Sequence, residues 1–180
     1  SGVKAKYELP DEYVLYFGRV STAKVDKLLP YFLRCKAKYG GDAKLVLVGG
    51  FENEIRKFDS PDILFTGYVS DEEKTAIVRH ATVMVNPSPM ESLSLLMLEG
   101  MQSRIPLLVN GRSKVMKDPC RLSGAGLWYN NGRDFRKQLH RLLSDPELRR
   151  TMSEKGPAYV REHYDWEIII PKLRTLIESI

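Results

Sequence analysis

The sequence contains few of the residues that stabilise small secreted domains or bind metals: two cysteines and three histidines occur among 180 residues. Cys35 and Cys120 lie far apart in the chain and do not suggest a disulfide framework, so we expect a reduced, intracellular protein. The histidines stand in stretches of helical pattern, and neither cysteine has a histidine neighbour in sequence. The pattern therefore supports neither a Ser-His-Asp nor a Cys-His nucleophile, and it indicates no metal site.

Long apolar runs are also missing. The longest, over 93–98, is interrupted by Ser94 and is far shorter than the ~18 residues that a membrane span needs. We find no signal-peptide pattern, so we expect neither a transmembrane nor a secretory segment in this stretch. The Gly-x-Gly-x-x-Gly and Gly-Lys-Ser/Thr motifs are absent as well, which argues against dinucleotide dehydrogenases and P-loop NTPases.

The charge balance is mildly basic, because 28 lysines and arginines exceed 23 aspartates and glutamates for a net charge of +5. Such a balance suits nucleic acid, membrane headgroups or phosphorylated small molecules, and most often it reflects only a solvated surface. The solvated surface is also the preferred interpretation of the one basic cluster, which contains Arg133, Arg136, Lys137, Arg141, Arg149 and Arg150.

Short β-rich runs alternate with stretches of helical period. The predicted strands cover 13–17, 45–48, 63–66, 82–85, 107–109 and 127–129. Most are continuous apolar runs, which is typical of parallel strands covered on both faces. The predicted helices cover 24–38, 71–80, 93–102, 135–143, 147–163 and 166–180. This alternation predicts an α/β fold: a Rossmann-like, doubly wound parallel sheet of about six strands with helices on both faces. We assign residues 12–180 to this single domain and residues 1–11 to a loose lead-in or cloning scar.

Two cationic residues, Arg19 and Lys24, follow the first predicted strand, and Gly18 directly precedes Arg19. Loops at the carboxyl ends of parallel strands form the ligand crevice of such sheets, so both cations can converge on an anion. In the plainer alternative, Arg19 caps a neighbouring loop and Lys24 is a solvated helix residue. Considered without the other motifs, the two residues favour this alternative. Gly49 and Gly67 follow the next two strands, where glycine either admits a ligand or simply forms a turn.

The most specific run covers 85–99. Two prolines end a strand there, and a helix is predicted to open at Glu91 and Ser92. Its first free backbone N–H groups, which together form an anion site, belong to Leu93, Ser94 and Leu95. Glu99 lies about two turns further, ~9 Å along the axis, in an otherwise apolar helix where a carboxylate needs a partner. On the plainer alternative, Glu91 only favours the helix dipole and Glu99 is a solvated or paired charge.

Taken in order, these features resemble the C-terminal, donor-binding half of retaining GT-B glycosyltransferases of family four, the "group 1" enzymes. The resemblance extends from about Glu12 to the end of the chain. Its motifs are Gly18-Arg19 with Lys24, Val48-Gly49, Phe65-Thr66-Gly67-Tyr68-Val69, Pro87-Ser88 leading to Glu91 and Glu99, Ile105-Pro106-Leu107-Leu108-Val109, and Tyr164-Asp165-Trp166.

The resemblance implies a hexosyltransferase that passes a glycosyl group from a UDP- or GDP-sugar to a saccharide or lipid-linked acceptor, with retention and without a metal or other cofactor. Arg19 and Lys24 would bind the diphosphate and stabilise the leaving group. Glu91 would face the sugar hydroxyls and complete the catalytic set, and Glu99 would accept from the ribose hydroxyls. The remaining donor-binding residues would be Gly18, Gly49, Thr66, Gly67, Tyr68, Ser92, Leu93, Ser94 and Leu95.

The sequence departs from the family pattern at two places near this site. Val25 follows Lys24 where the family often has glycine, and Ser92-Leu93-Ser94 replaces a glycine-rich triplet. The serines add hydroxyl donors and narrow the space. These departures bear on the choice of donor sugar more than on the reaction class.

A GT-B enzyme uses two Rossmann-like domains, and this sequence has the motifs of one. The resemblance therefore implies two partners, a nucleotide sugar and the N-terminal acceptor-binding domain, and no nucleic acid. It also implies a cytoplasmic location with peripheral contact at the inner face of the membrane, because many such enzymes act on lipid-linked acceptors. We expect the isolated domain to transfer nothing. The alternative is a non-catalytic nucleotide-binding module or a basic membrane-surface module.

Overall fold

The computed structural model describes residues 2–52, 55 and 60–179. Within them the strands form one six-stranded parallel sheet in the order β3-β2-β1-β4-β5-β6. The strands are β1 (Tyr13–Phe17), β2 (Lys44–Val48), β3 (Ile63–Gly67), β4 (Val83–Asn86), β5 (Leu107–Asn110) and β6 (Gly126–Tyr129). The strand order reverses between β1 and β4, which is the topological switch point where such sheets bind ligands. The predicted doubly wound parallel sheet is confirmed.

Helices cover both faces of this sheet. They are α1 (Gly2–Lys6), α2 (Thr22–Val25), α3 (Leu28–Tyr39), α4 (Asp71–His80), α5 (Leu95–Gln102), α6 (Lys114–Ser123), α7 (Gly132–Ser144), α8 (Pro146–Tyr164) and α9 (Trp166–Glu178). Successive strand residues point to opposite faces, and so Val14 and Leu15 are both fully buried but in different apolar clusters. Phe32 of α3 packs in the first cluster and Met97 of α5 in the second. Burial on both faces explains the continuous apolar runs of the strands.

Two predicted helix starts are confirmed by their hydrogen bonds. Ser70 caps α4: its Oγ accepts from Glu73 N at 3.2 Å, and its own N–H donates to the Glu73 carboxylate at 2.9 Å. Asp145 caps α8, with Pro146 at the first helical position. Both starts follow from local chemistry, because the capping groups lie within three residues of each other.

The N-terminal residues differ from the expected loose lead-in. Residues 2–6 form α1, Leu9 is buried, and the Tyr7 hydroxyl donates to Glu73 of α4 at 3.0 Å. Lys6 pairs with the same carboxylate at 2.5 Å. The expectation was wrong for these residues because the stabilising contacts are 66 and 67 residues away in sequence. Residue 1 lies outside the described residues.

Several helices also differ from the prediction. The helix predicted over 24–38 is two helices, α2 and α3, and Lys24 belongs to the short α2. The helix α5 begins at Leu95, two residues later than predicted, because the side chain of Ser94 is its N-cap. The helix α6 was not predicted; Pro119 lies inside it, and an internal proline normally argues against a helix. The last predicted helix ends at Glu178, and residue 180 lies outside the described residues.

Candidate functional site

A crevice of about 200 Å³ opens at the switch point, beside the carboxyl ends of β1 and β4. We call it the edge crevice. It brings together seven of the residues predicted for the site: Gly18, Arg19, Lys24, Glu91, Leu93, Ser94 and Leu95. Gly18 and Arg19 come from the turn after β1, Lys24 comes from α2, and the others lie between β4 and the first residue of α5. The fold therefore joins two sequence motifs that are about 70 residues apart.

The two cations of the edge crevice are solvent-exposed, and neither forms an ion pair with another described residue. The loop that carries Arg19 is fixed because the Tyr16 hydroxyl donates to the Arg19 carbonyl oxygen at 2.9 Å. Lys24 stands on α2 after the same turn. The structure places both residues at one crevice, and their convergence on a bound anion stays a prediction.

The N-terminus of α5 faces the same crevice. The backbone N–H groups of Leu93, Ser94 and Leu95 donate to no other residue in the described part of the chain. The Ser94 side chain is 4% exposed; its Oγ accepts from Met97 N at 3.3 Å and from Asn86 Nδ2 at 3.1 Å. Free N–H groups and the helix dipole make this end of α5 favourable for an anion.

Two asparagines that sequence reasoning missed hold the loop between β4 and α5. Asn86 ends β4, and its Oδ1 accepts from Ser88 N at 3.1 Å. Asn110 ends β5, and its Nδ2 donates to the Pro87 carbonyl oxygen at 2.9 Å. The available signal was an asparagine at the carboxyl end of two neighbouring strands. Both side chains position the loop that carries Glu91.

Tyr16 is a further crevice residue that the sequence did not single out. Burial raises the pKa of its hydroxyl to about 12, and the nearby negative charge of Glu91 adds to this effect. The phenol therefore stays protonated at neutral pH and keeps its hydrogen bond to the Arg19 carbonyl. Its position within a continuous apolar strand resembled ordinary core, and so the sequence offered no separate signal for it.

Four predicted donor-binding residues do not line the edge crevice: Gly49, Thr66, Gly67 and Tyr68. Gly49 and Gly67 form a backbone contact, in which Gly49 N donates to the Gly67 carbonyl oxygen at 2.9 Å. A Cβ on Gly49 would stand 2.2 Å from the Gly18 carbonyl oxygen. Glycine is therefore required there by the close approach of neighbouring strand ends. Tyr68 is 88% exposed and stands free of the core.

Glu99 and Ser92 also lie outside the edge crevice. Glu99 is half-exposed and pairs with Lys74 of α4 at 2.7 Å. The same ammonium lies 5.0 Å from the centre of the Phe17 ring at the end of β1. The partner expected for a carboxylate in an apolar helix is thus present, and it was invisible in sequence because it belongs to another helix.

The described residues offer no group of three or more His, Cys, Asp or Glu side chains that could hold a metal ion. Within the same ranges, every helix is too short or too polar to cross a bilayer. Among the described residues, the sheet carries two unpaired cations and a helix N-terminus at its switch point, an arrangement that α/β domains commonly use for phosphorylated ligands.

Comparison with known proteins narrows this class to a family. Residues 3–159 match the family model described as Glycosyl transferases group 1. The chain therefore belongs to the group 1 glycosyl transferases. The family predicted by resemblance is confirmed.

Three known proteins illustrate the similarity. The alpha-D-kanosaminyltransferase of Streptomyces kanamyceticus is 30% identical over 168 residues, which cover 86% of this chain and 42% of the relative. HepE of Anabaena, solved with UDP, has a TM-score of 0.83 at 13% identity, covering 99% of this chain and 52% of its own. A C-terminal domain of a group 1 family protein from Francisella tularensis has a TM-score of 0.75 at 17% identity, covering 92% of both chains. The GT-B type of fold is confirmed, and this chain spans less than half the length of the curated relatives it matches.

Proposed function

We propose that this chain is the nucleotide-sugar-binding half of a retaining, metal-independent hexosyltransferase that uses a UDP- or GDP-sugar. The observation that carries the proposal is the edge crevice, where Arg19, Lys24 and the free N–H groups at the start of α5 face one space. A diphosphate has the charge and the acceptor oxygens that such a set of donors binds. Crystal forms of HepE with UDP and with UDP-glucose make uridine compounds the first ligands to test.

In this proposal Arg19 and Lys24 act on the leaving group. As the bond from the sugar to the diphosphate breaks, negative charge builds up on the diphosphate, and the two cations stabilise it. This is the role that a divalent metal has in other phosphate chemistry, so the reaction would need none. Glu91, which also lines the crevice, would accept hydrogen bonds from the sugar hydroxyls.

Glu99 would accept from the ribose hydroxyls. Only its Oε2 is paired with Lys74, so that Oε1 is left for a ligand. The Lys74 ammonium would act as a positioning group that holds the carboxylate in one orientation. Gly49, Thr66, Gly67 and Tyr68 would border the base at the ends of β2 and β3.

The other half of the enzyme would supply the acceptor site. The chain covers less than half the length of its curated relatives, and α9 has no buried residue. Its exposed apolar side chains are Trp166, Ile168, Ile170, Leu173, Leu176 and Ile177. We propose that an N-terminal acceptor-binding domain packs on this helix, that the isolated chain binds the donor without transferring the sugar, and that the whole enzyme works in the cytoplasm against the membrane.

Thermal unfolding with a ligand panel tests the donor site. UDP at 100-fold its Kd should raise the free energy of unfolding by about 2.7 kcal/mol, which is roughly 5–11 °C in Tm for a chain of this size. Arg19→Ala and Lys24→Ala should each weaken binding by at least about tenfold, because each removes a charge-assisted contact. Lys137→Ala removes an equally exposed charge from α7 and should leave the shift unchanged.

Two results would contradict the proposal. If neither UDP, GDP nor their sugar conjugates shift Tm, the edge crevice is not a donor site. If anionic vesicles bind the chain and nucleotides do not, a membrane-surface module is the better description. Two members of the basic cluster, Arg149 and Arg150, already have carboxylate partners in Glu12, Glu147 and Glu154, which reduces the charge available to an anionic surface.

A further inference from the structure

A second cavity of about 200 Å³ adjoins the edge crevice. It lies between the start of α3, the loop after β4 and the carboxyl ends of β5 and β6, and we call it the β6 cavity. Lys24 and Pro87 line both spaces, whereas Glu91 and the start of α5 line the edge crevice and not the β6 cavity. A ligand in the β6 cavity would therefore lie beside a donor in the edge crevice without taking its place.

The hydroxyl of Tyr129 points to a binding role for this cavity. Tyr129 ends β6, lines the cavity and is only 4% exposed, and its ring packs edge-on against Phe135 at a centroid distance of 5.0 Å. The hydroxyl forms no hydrogen bond with a described residue, yet it is not sealed in the core: within the same ranges, the sealed and unpaired oxygens are those of Ser113 and Gln138. A buried hydroxyl that reaches a cavity and lacks a protein partner is free to bond a ligand.

The protonation of this phenol suits a donor. Burial, and secondarily the neighbouring Tyr31, raises the pKa of Tyr129 far above neutral pH. The hydroxyl therefore keeps its hydrogen and can donate it to a ligand oxygen.

Two other unpaired polar groups line the same cavity. Tyr31 of α3 is partly buried, with its ring centroid 6.4 Å from that of Tyr129. Asn130 follows β6. Neither the Tyr31 hydroxyl nor the Asn130 side-chain amide forms a hydrogen bond within the described part of the chain. A phenol and an amide can each donate and accept, as can the hydroxyl groups of a saccharide.

The charged residues do not by themselves make the β6 cavity an anion site. Lys24, Lys27 and Arg112 line it, but the first of them also lines the edge crevice and would be neutralised there by the diphosphate. Asp26 places a carboxylate in the same lining, where one of its oxygens accepts from Lys27 N at 2.7 Å. An anion has no hydrogen to give to the phenol, amide and carboxylate oxygens, whereas a hydroxyl-rich ligand satisfies donors and acceptors together.

We propose that the β6 cavity is a subsite for a saccharide acceptor. This inference rests on the proposed function and deepens it, because it assigns part of the acceptor site to this half of the enzyme. Transfer requires an acceptor hydroxyl held next to the donor sugar, and the β6 cavity shares a wall with the space proposed for the donor. Tyr129 donates to an acceptor hydroxyl, and Tyr31 and Asn130 bond its neighbours. The N-terminal domain would hold the remainder of the acceptor.

NMR titration of the isotope-labelled, UDP-saturated chain tests the proposal, with the methyl glycosides of glucose, galactose, mannose and N-acetylglucosamine as probes. At least one should bind with a dissociation constant on the order of 1 mM, as expected for so small a ligand, and should shift the amide resonances of Lys27, Tyr129 and Asn130. Tyr129→Phe removes only the hydroxyl and should weaken this binding about fivefold while leaving the affinity for UDP unchanged. If none of the four glycosides binds, the proposal is wrong.

Tyr39→Phe is the matched control. It removes another phenol without a hydrogen-bond partner among the described residues, at the opposite end of α3, and should leave the glycoside affinity unchanged. Because the Tyr129 hydroxyl likewise has no protein partner, Tyr129→Phe should unfold at the same temperature as the parent chain or higher. A lower Tm with an unchanged glycoside affinity would show that the hydroxyl is purely structural, which overturns the proposal.

Two further arms identify other occupants. Inorganic phosphate at the same concentration should not displace the glycoside, and displacement would identify an anion site instead. If Tyr129→Phe weakens the binding of UDP-glucose but not of UDP, and the free glycosides do not bind, the cavity holds the donor sugar and the acceptor assignment is wrong.

The failure of this inference differs from that of the proposed function. If UDP binds but no glycoside does, the acceptor subsite is wrong and the donor site stands. If no uridine or guanosine compound binds, the donor site itself is wrong, and the acceptor subsite falls with it.

Discussion

Replacing Gly49 with alanine tests whether the strand-end glycines serve the fold or a ligand. Gly49 has a φ of +128°, and a Cβ there would lie 2.2 Å from the Gly18 carbonyl oxygen. The same edge is joined by two hydrogen bonds of 2.9 Å, from Gly18 N to the Val48 carbonyl and from Gly49 N to the Gly67 carbonyl. The added methyl group must therefore push apart the ends of β1 and β2.

The expected cost can be built from these parts. Holding a non-glycine residue in such a backbone region costs about 1–3 kcal/mol. Relieving the overlap disturbs the two hydrogen bonds, each worth about 1 kcal/mol. The free energy of unfolding should thus fall by about 3–5 kcal/mol, which corresponds to roughly 6–20 °C in Tm for a chain of this size.

Gly67→Ala is the matched control, because Gly67 ends the neighbouring strand with a φ of +72° but no atom lies within 4 Å of its added Cβ. This substitution should lower the free energy of unfolding by only about 1–2 kcal/mol, which is the cost of holding a non-glycine residue in the left-handed region. Urea denaturation of both variants measures the difference. Equal losses for the two, or a Gly49→Ala variant as stable as the parent, would refute the argument that a backbone contact requires this glycine.

The remaining predictions concern titration and thiol reactivity. The hydrogen bond from Lys6, followed by that from Ser70 N, lowers the pKa of Glu73 from its ordinary 4.5 to about 2. Because the pKa is lower in the folded state, this stabilisation is complete above pH 4.5 and is lost as the pH falls towards 2. Glu73→Gln should flatten the acid side of the stability profile, whereas Glu162→Gln on α8 should not; identical profiles would contradict the contact. Burial raises the pKa of Cys35 to about 11 and that of Cys120 to about 12. Neither thiol should react with a disulfide reagent at pH 8 until urea unfolds the chain, and rapid labelling of the native protein would count against the buried assignment.

The sheet and most of its helices could be predicted because their signals are local. An apolar run such as 45–48 is buried on both faces, and the Ser70 capping box closes within four residues. The contacts that could not be predicted are long-range. Lys74 pairs with Glu99 across two helices, and Tyr7 reaches Glu73 over 66 residues. Neither pair has a sequence pattern that distinguishes its members from polar side chains in solvent.

The candidate site likewise has a part that the sequence suggested and a part that only the structure explains. The motifs suggested Arg19, Lys24 and Glu91 as one set, and the structure places all three around one crevice, since the carboxyl ends of adjacent parallel strands meet at one edge. It placed Gly49 and Gly67 in the same set, but their geometry is explained by the backbone contact between strand ends. A glycine at a strand end can admit a ligand or allow a close backbone contact, and only the three-dimensional structure distinguishes the two explanations.

The size of the edge crevice bears on how the donor would be held. Its volume of about 200 Å³ is below the roughly 300 Å³ at which small-molecule sites usually begin. Hydrogen bonds from Tyr16 to the Arg19 carbonyl and from Asn86 to the Ser94 hydroxyl fix the base of the crevice, whereas the side chains of Arg19 and Lys24 are exposed. A site with a preorganised base and an open top suits a ligand that is enclosed only when a second domain closes over it.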